Sequence, residues 1–326
     1  MSIIRPLVIL LLVIMHSFTM YAGGWLLPDG IGEVNAYSIG VKLITGFRIE
    51  MIALVSGYVF AYQSIKLDRH YDFKSFAYKK FIRLIIPCLI FSLIYYFCFQ
   101  FNRPAIGSMR WFVALSSGFG HLWFLPMLFW CFLIIWAIDH YRLSSKVLFV
   151  ALAISSLIPV PNLPFSLSRV FHFSFYCYLG YILYTNKERL LKRFMSVRNI
   201  VFMWAIYFIL VVFSNIIFSP ENIYIRNILA LFTACSGIMA LYLLVCKCIG
   251  KPGFQPQEWV IKSSSVCYGV YVYHEFILKF MYYHTPLPQI LGTYMLPWFG
   301  CLVAIVFSLL LTNLSLKTKA GRFLIG

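Results

Sequence analysis

Residues 1–18 read MSIIRPLVILLLVIMHSF, with an arginine at position 5, a histidine at 16, and ten uncharged residues between them. On a helix rising 1.5 Å per residue, His16 lies about 16 Å beyond Arg5, and eleven steps of 100° return it to within about 20° of the same face. A hydrocarbon layer about 30 Å thick suits such a run, with Arg5 at one mouth and His16 near mid-membrane.

Composition extends that reading to the whole chain. Of 326 residues, 62% are hydrophobic and 11% charged, against about 25% charged in an ordinary soluble domain. Mean hydropathy is +0.85. So much apolar surface exceeds what one aqueous core hides, and the fold expected is an all-α polytopic membrane bundle forming one domain over 1–326. The net charge of +17 falls in short clusters between apolar runs, with no basic face or tail. It marks membrane orientation and leaves no role for nucleic acid. The nine cysteines lack metal or redox spacing, so no metal is expected. No P-loop, GxGxxG or GxSxG elbow stands at a usable place, which argues against nucleotide hydrolysis and serine hydrolysis.

Ten apolar runs approach the length of a span: 6–27, 38–63, 78–101, 121–139, 147–163, 170–185, 199–218, 227–246, 263–283 and 290–314. The fifth and sixth are short, separated by the proline-rich IPVPNLPFSLSR. The first is followed by Ala22-Gly23-Gly24, small residues like those of a cleavage site, but its length favours a retained helix. Most of the 27 lysines and arginines fall in alternate loops: Arg5, Lys66 to Arg83, Arg142 and Lys146, Lys187 to Arg198, Lys247 to Lys262, and Lys317 to Arg322. The positive-inside rule then puts both termini in the cytoplasm.

An ionisable group inside a span costs roughly 2.5–3.5 kcal/mol on insertion scales, so each is a candidate for function. His16 is a catalytic base or a histidine hydrogen-bonded to a neighbouring helix. In FRIEMIALVSGY (47–58), Arg48 and Glu50 point about 200° apart and each needs a partner elsewhere. Glu50 shares a face with Gly57, beside Ser56, where the glycine admits a ligand or a close helix. In SSSVCYGVYVYHEFILKF (263–280), Glu275 and Lys279 stand i, i+4 and can neutralise each other, while His274 points elsewhere. GHLWFLPMLFW (120–130) sets His121 at the mouth of the fourth span. FKSFAYKKFIRLIIP (73–87) brings Lys79, Lys80 and Arg83 to the entry of the third, as topology anchors or a phosphate site.

Several of these pieces recur together. Arg5-(ten residues)-His16, SGY at 56–58, HLWFL at 121–125 and YGVYVYH at 268–274, with KKFIRLIIP at 79–87, resemble in order and spacing the integral-membrane acyltransferase-3 family. These are bacterial enzymes that O-acylate surface polysaccharides and related glycoconjugates. Pro6-Leu7 departs from the small residues that commonly follow the family's first arginine, and the chain looks like a stand-alone member without an extracellular hydrolase-like domain. The resemblance implies transfer of an acyl group, most simply acetyl from acetyl-CoA. It would pass from cytoplasmic acyl-CoA to a hydroxyl of a polysaccharide or lipid-linked saccharide across a bacterial cytoplasmic membrane.

The residues fit that implication. Arg5, Lys80 and Arg83 supply cations for coenzyme A phosphates. His16 is the candidate general base, and Arg48 or Glu50 would orient it or steady an oxyanion. Ser56, His121, His274 and Glu275 are further site candidates, and an acyl-histidine relay stays open beside direct transfer. The competing reading is a proton-coupled transporter or flippase, which uses the same residue types, although no inverted repeat or pair of broken helices is evident. A scaffold subunit would leave Arg5 and His16 unexplained.

The charge pattern yields a topology test. In a cysteine-free background, a cysteine at position 70 should resist an impermeant thiol reagent in intact cells, while one in the 102–120 loop should react. Reaction at position 70 from outside overturns the orientation.

Overall fold

The computed structural model describes residues 3–100, 108–218, 221–249 and 258–326. It is 84% helical, with no strand among the described residues, so the fold is an all-α polytopic helix bundle.

In chain order, α1 (Ile4–Phe18) continues through a 3-10 turn until Gly23, whose φ of +74° ends it. Next come α2 (Asn35–Thr45) and α3 (Arg48–Ala61), the latter extended by a π turn at Tyr62–Lys66. Asp72 caps α4 (Phe73–Lys80) by accepting from the Ser75 N–H at 3.1 Å. A π turn at Phe81–Ile85 leads into α5 (Ile86–Phe99). Pro87 lacks an N–H for the Arg83 carbonyl and its ring crowds that oxygen, so the helix widens there.

The short α6 (Ser108–Ser117) follows, then α7 (Phe124–His140), α8 (Lys146–Ser155), α9 (Leu167–Thr185) and α10 (Lys187–Phe194). The chain ends with α11 (Val197–Val212), α12 (Ile223–Ile249), α13 (Glu258–Tyr283), α14 (Leu287–Lys317) and α15 (Lys319–Ile325).

Among the described residues, seven helical stretches are long and apolar enough to cross a membrane: Ile4–Ala22, Asn35–Lys66, Phe73–Phe99, Gly120–His140, Val197–Asn215, Ile223–Ile249 and Leu287–Lys317. The other three expected spans differ in character. α9 and α13 are long enough, with 19 and 26 residues, but their tyrosines, serines and histidines lower their hydropathy. The fifth run is helical only as α8, 10 residues or about 15 Å, half a bilayer core. It stops at Ser155 because Pro159, Pro161 and Pro164 follow, each removing a helix donor. The expected 102–120 loop contains α6, which the hydrophobic runs did not announce.

The chain divides into two compact units, with boundaries inside α3, α10 and α12 and just before α12. In the unit of residues 1–49, 193–221 and 232–326, α1 packs on α13, α14 and α2, and α13 packs along α14. Tyrosine hydroxyls fasten these helices through carbonyls that helix ends leave over. Tyr282 on α13 donates to the Ser17 carbonyl at 2.8 Å, and Tyr207 on α11 donates to the Leu43 carbonyl at 2.6 Å.

In the unit of residues 50–192 and 222–231, α9 packs on α7 and α8. Its crossing with α3 is unusually close. A Cβ at Gly57 would run into the Cys177 carbonyl, and one at Gly180 into the Leu54 carbonyl, while Cys177 Sγ donates to the Ala53 carbonyl at 3.2 Å. Gly57 thus admits a helix, the second of the two roles its face allowed. Nearby, the Asp139 carboxylate accepts from Ser64 Oγ at 2.6 Å and from the Tyr181 hydroxyl at 2.7 Å, above a core of Phe60, Phe76, Ile135, Trp136, Tyr178 and Tyr184.

Filling that crossing should be felt at once. Gly57→Ala is expected to cost about 1–3 kcal/mol or more, read as a lower midpoint of thermal unfolding in detergent. Gly40→Ala, at a helical glycine with nothing within 4 Å of the added carbon, should leave stability unchanged or raise it by up to about 1 kcal/mol. Equal shifts at both positions refute the close crossing.

Candidate functional site

The continuous helix α1 carries both Arg5 and His16, as the opening stretch requires. After Gly23 turns the chain, Trp25 returns over the His16 ring, with centroids 5.9 Å apart and planes within 5°. From α13 comes His274, 258 residues away in sequence, with its Nε2 2.8 Å from His16 Nδ1. The ring centroids are 5.0 Å apart and the planes differ by 24°. That separation matches the nitrogen distance plus one ring radius on each side. The two imidazoles therefore meet edge to edge and nearly coplanar, the direction in which a ring nitrogen's N–H and lone pair both point.

His274 is fully buried at 0% exposure, whereas His16 is half-buried. The Nδ1 of His274 lies 2.7 Å from the Tyr271 carbonyl and 3.1 Å from that of Val270, within its own helix. The next residue, Glu275, has its Oε1 3.6 Å from the Nζ of Lys279 a turn further on, the i, i+4 pair anticipated from spacing. Lys279 Nζ also lies 5.1 Å from the centre of the Trp25 ring, and Tyr282 meets that ring edge-on at 6.3 Å. His16, Trp25, His274, Glu275 and Lys279 thus form one cluster between the end of α1 and the middle of α13.

The remaining candidates are placed elsewhere. Arg48 belongs to the same unit as His16 and is buried, 5% exposed, as the first residue of α3. Glu50 belongs to the second unit, where its Oε1 is 3.6 Å from His172 Nε2; the Nδ1 of His172 faces the Ser156 carbonyl at 3.3 Å. Ser56 donates to the Ile52 carbonyl of its own helix at 2.9 Å, a back-bond that commits its hydroxyl. His121 is buried in the 3-10 turn before α7. Lys80 Nζ sits 3.7 Å from the Phe132 ring centre, a cation–π seat, while Arg83 is exposed in the π turn that follows.

Two participants escaped the sequence reading. His172 lies within the sixth apolar run and satisfied the rule that flagged the other intramembrane histidines. Trp25 reads as an interfacial aromatic, and nothing local announces that the turn at Gly23 folds it back over His16. Among the described residues, no three His, Cys, Asp or Glu side chains gather as a metal site requires.

A family model described as an acyltransferase domain matches residues 1–313 of the chain. No curated protein and no solved structure matches it.

The cluster's ion pair is expected to act in stability alone. Glu275→Gln leaves Lys279 with a lost partner, and breaking a buried pair costs about 3–5 kcal/mol. Thermal unfolding in detergent should show that loss, and Glu275→Gln with Lys279→Met should recover much of it. A Glu275→Gln protein of unchanged stability but little turnover would instead assign Glu275 to the chemistry.

Proposed function

The chain belongs to the acyltransferase-3 family and is a membrane acyltransferase, and from that premise we propose that it moves an acyl group, acetyl in the simplest case, from cytoplasmic acyl-CoA to a saccharide hydroxyl. The acceptor is a surface polysaccharide or a lipid-linked saccharide at the opposite face of a bacterial cytoplasmic membrane, with both termini of the chain in the cytoplasm. The charge distribution and the resemblance of the motifs support these finer assignments.

One contact carries the choice of base: His16 Nδ1 at 2.8 Å from His274 Nε2, on the same helix as Arg5. A positioned imidazole is the group best suited to take a proton from a sugar hydroxyl at neutral pH. As His16 accepts that proton, the hydroxyl oxygen attacks the thioester carbonyl and a tetrahedral oxyanion forms. Collapse breaks the C–S bond, the new ester leaves, and the imidazolium returns its proton to the coenzyme A thiolate. Buried Arg48 is the proposed counter-charge for the oxyanion. Should the acyl group pass through the histidine, the nucleophile is the same ring.

Arg5, the second residue of α1 and about 16 Å from His16 along the helix, is proposed to hold a coenzyme A phosphate. Lys80 and Arg83 carry the charge a phosphate needs and lie at the entry of the third span, and each is to be judged by its own effect on the KM for acyl-CoA.

Purified protein in liposomes, given labelled acyl-CoA and a saccharide acceptor, tests the proposal. His16→Ala should lose about 10²–10⁴ in turnover per folded molecule while acyl-CoA binding persists. Arg5→Gln removes a charge-assisted contact of about 1.5–3 kcal/mol and should raise the KM for acyl-CoA about tenfold or more. Near-normal turnover by folded His16→Ala refutes the base, and an unchanged KM in Arg5→Gln reduces Arg5 to an anchor.

A further inference from the structure

The contact between the two histidines carries more than their proximity, because with both rings neutral the atoms on either side of it fix where the protons are. A backbone carbonyl only accepts hydrogen bonds. The Nδ1 of His274, 2.7 Å from the Tyr271 carbonyl and 3.1 Å from that of Val270, therefore carries a proton. In a neutral ring the proton on Nδ1 leaves a lone pair on Nε2. That lone pair faces His16 Nδ1 at 2.8 Å. Two nitrogens at that distance need one hydrogen between them, so it resides on His16 Nδ1. The other nitrogen of His16, Nε2, is then left with the lone pair.

We propose that His274 is the positioning residue of the His16 base, holding its proton on Nδ1 so that Nε2 is the atom that takes the acceptor's proton. This rests on the reading of His16 as general base. Three features distinguish the arrangement from a contact that merely joins α1 to α13. The near-coplanar rings, 24° apart, aim the bond along the lone pair. His274 is fully buried and anchored within its own helix, so it cannot swing to offer the other nitrogen. Trp25, parallel to the His16 ring within 5°, restricts rotation of that ring about its side-chain bonds. A hydrolytic triad sets its histidine by the same logic, and there the wrong tautomer costs about 10⁴ in turnover.

The test has a spectroscopic and a kinetic arm. In full-length protein with 15N-labelled histidine, reconstituted in lipid, magnetic resonance separates protonated from bare ring nitrogens; the His16 signals are those lost in His16→Ala. The expected wild-type spectrum shows His16 protonated at Nδ1 and bare at Nε2, and His274→Leu should lose that preference. In the transfer assay, His274→Leu should lower kcat by about 10²-fold or more with the KM for acyl-CoA unchanged.

His274→Gln, whose amide oxygen can accept from His16 Nδ1 while its NH2 faces the carbonyls, should recover at least tenfold over His274→Leu. A wild-type His16 with its proton on Nε2 overturns the proposal. So does a folded His274→Leu of normal kcat, or a folded His274→Gln no better than His274→Leu. If His274→Leu does not fold, a His274→Gln protein with kcat within about tenfold of wild type supports the acceptor role, and one that folds without turnover overturns it. Absence of acyl transfer by the wild-type protein would end the acyltransferase reading, and its spectrum would still decide which nitrogen His274 fixes.

Discussion

Hydrocarbon offers no hydrogen bonds, and a polar group left without one there costs several kcal/mol. A chain with 11% charged residues has few such groups, and their pairing organises much of the packing. Ser17, Ser56 and Thr312 donate to carbonyls four residues back in their own helices, at 2.8, 2.9 and 2.6 Å. Longer side chains reach across. Tyr282 and Tyr207 each donate to the carbonyl of a different segment, and the Asp139 carboxylate is met by two hydroxyls. His16 and His274 answer each other. Each bond that crosses between helices fixes a rotation and a depth, which greasy surfaces alone leave free.

Between lipid-facing helices the hydrophobic effect gives no preference for protein over lipid, so close packing supplies the attraction. Gly57 and Gly180 show how this is done, each lying under a carbonyl of the facing helix. At that separation dispersion contacts accumulate along both backbones, and a single methyl is an obstruction. The aromatic residues, 19% of the chain, add contacts of their own, as Phe47 does edge-on to Tyr207 at 5.1 Å between ring centres.

What was legible in the sequence was what depends on one segment at a time. The period of the apolar runs gave the helices, and the spacing of Arg5 and His16 gave their shared helix. The i, i+4 rule gave Glu275 with Lys279. Where reading failed, the cause was competition or distance. The prolines after Ser155 outweighed apolarity and cut the fifth run to ten residues. α9 has the length of a span, but its tyrosines make it a poor one by composition. His274 was noted but not joined to His16, because a contact over 258 residues leaves no periodic trace. The same holds for Trp25, and for the helix that occupies the face of Gly57.

The choice of a second histidine to face His16 has a physical logic of its own. Orienting an imidazole requires an acceptor at Nδ1, and in hydrolytic triads a buried, hydrogen-bonded carboxylate serves. Buried without a cation, a carboxylate carries a desolvation cost of several kcal/mol, and a cation added to offset it must itself be desolvated. Here the adjacent carboxylate, Glu275, is already matched with Lys279 at 3.6 Å. A neutral imidazole whose proton is held by its own helix's carbonyls offers a directed lone pair with no net charge. In the mechanism proposed above the acceptor is thus supplied by a dipole, and His274 adds no charge of its own to the imidazolium and oxyanion that transfer creates. Such a device suits an apolar site, because it would orient the proposed base without bringing an ion of its own.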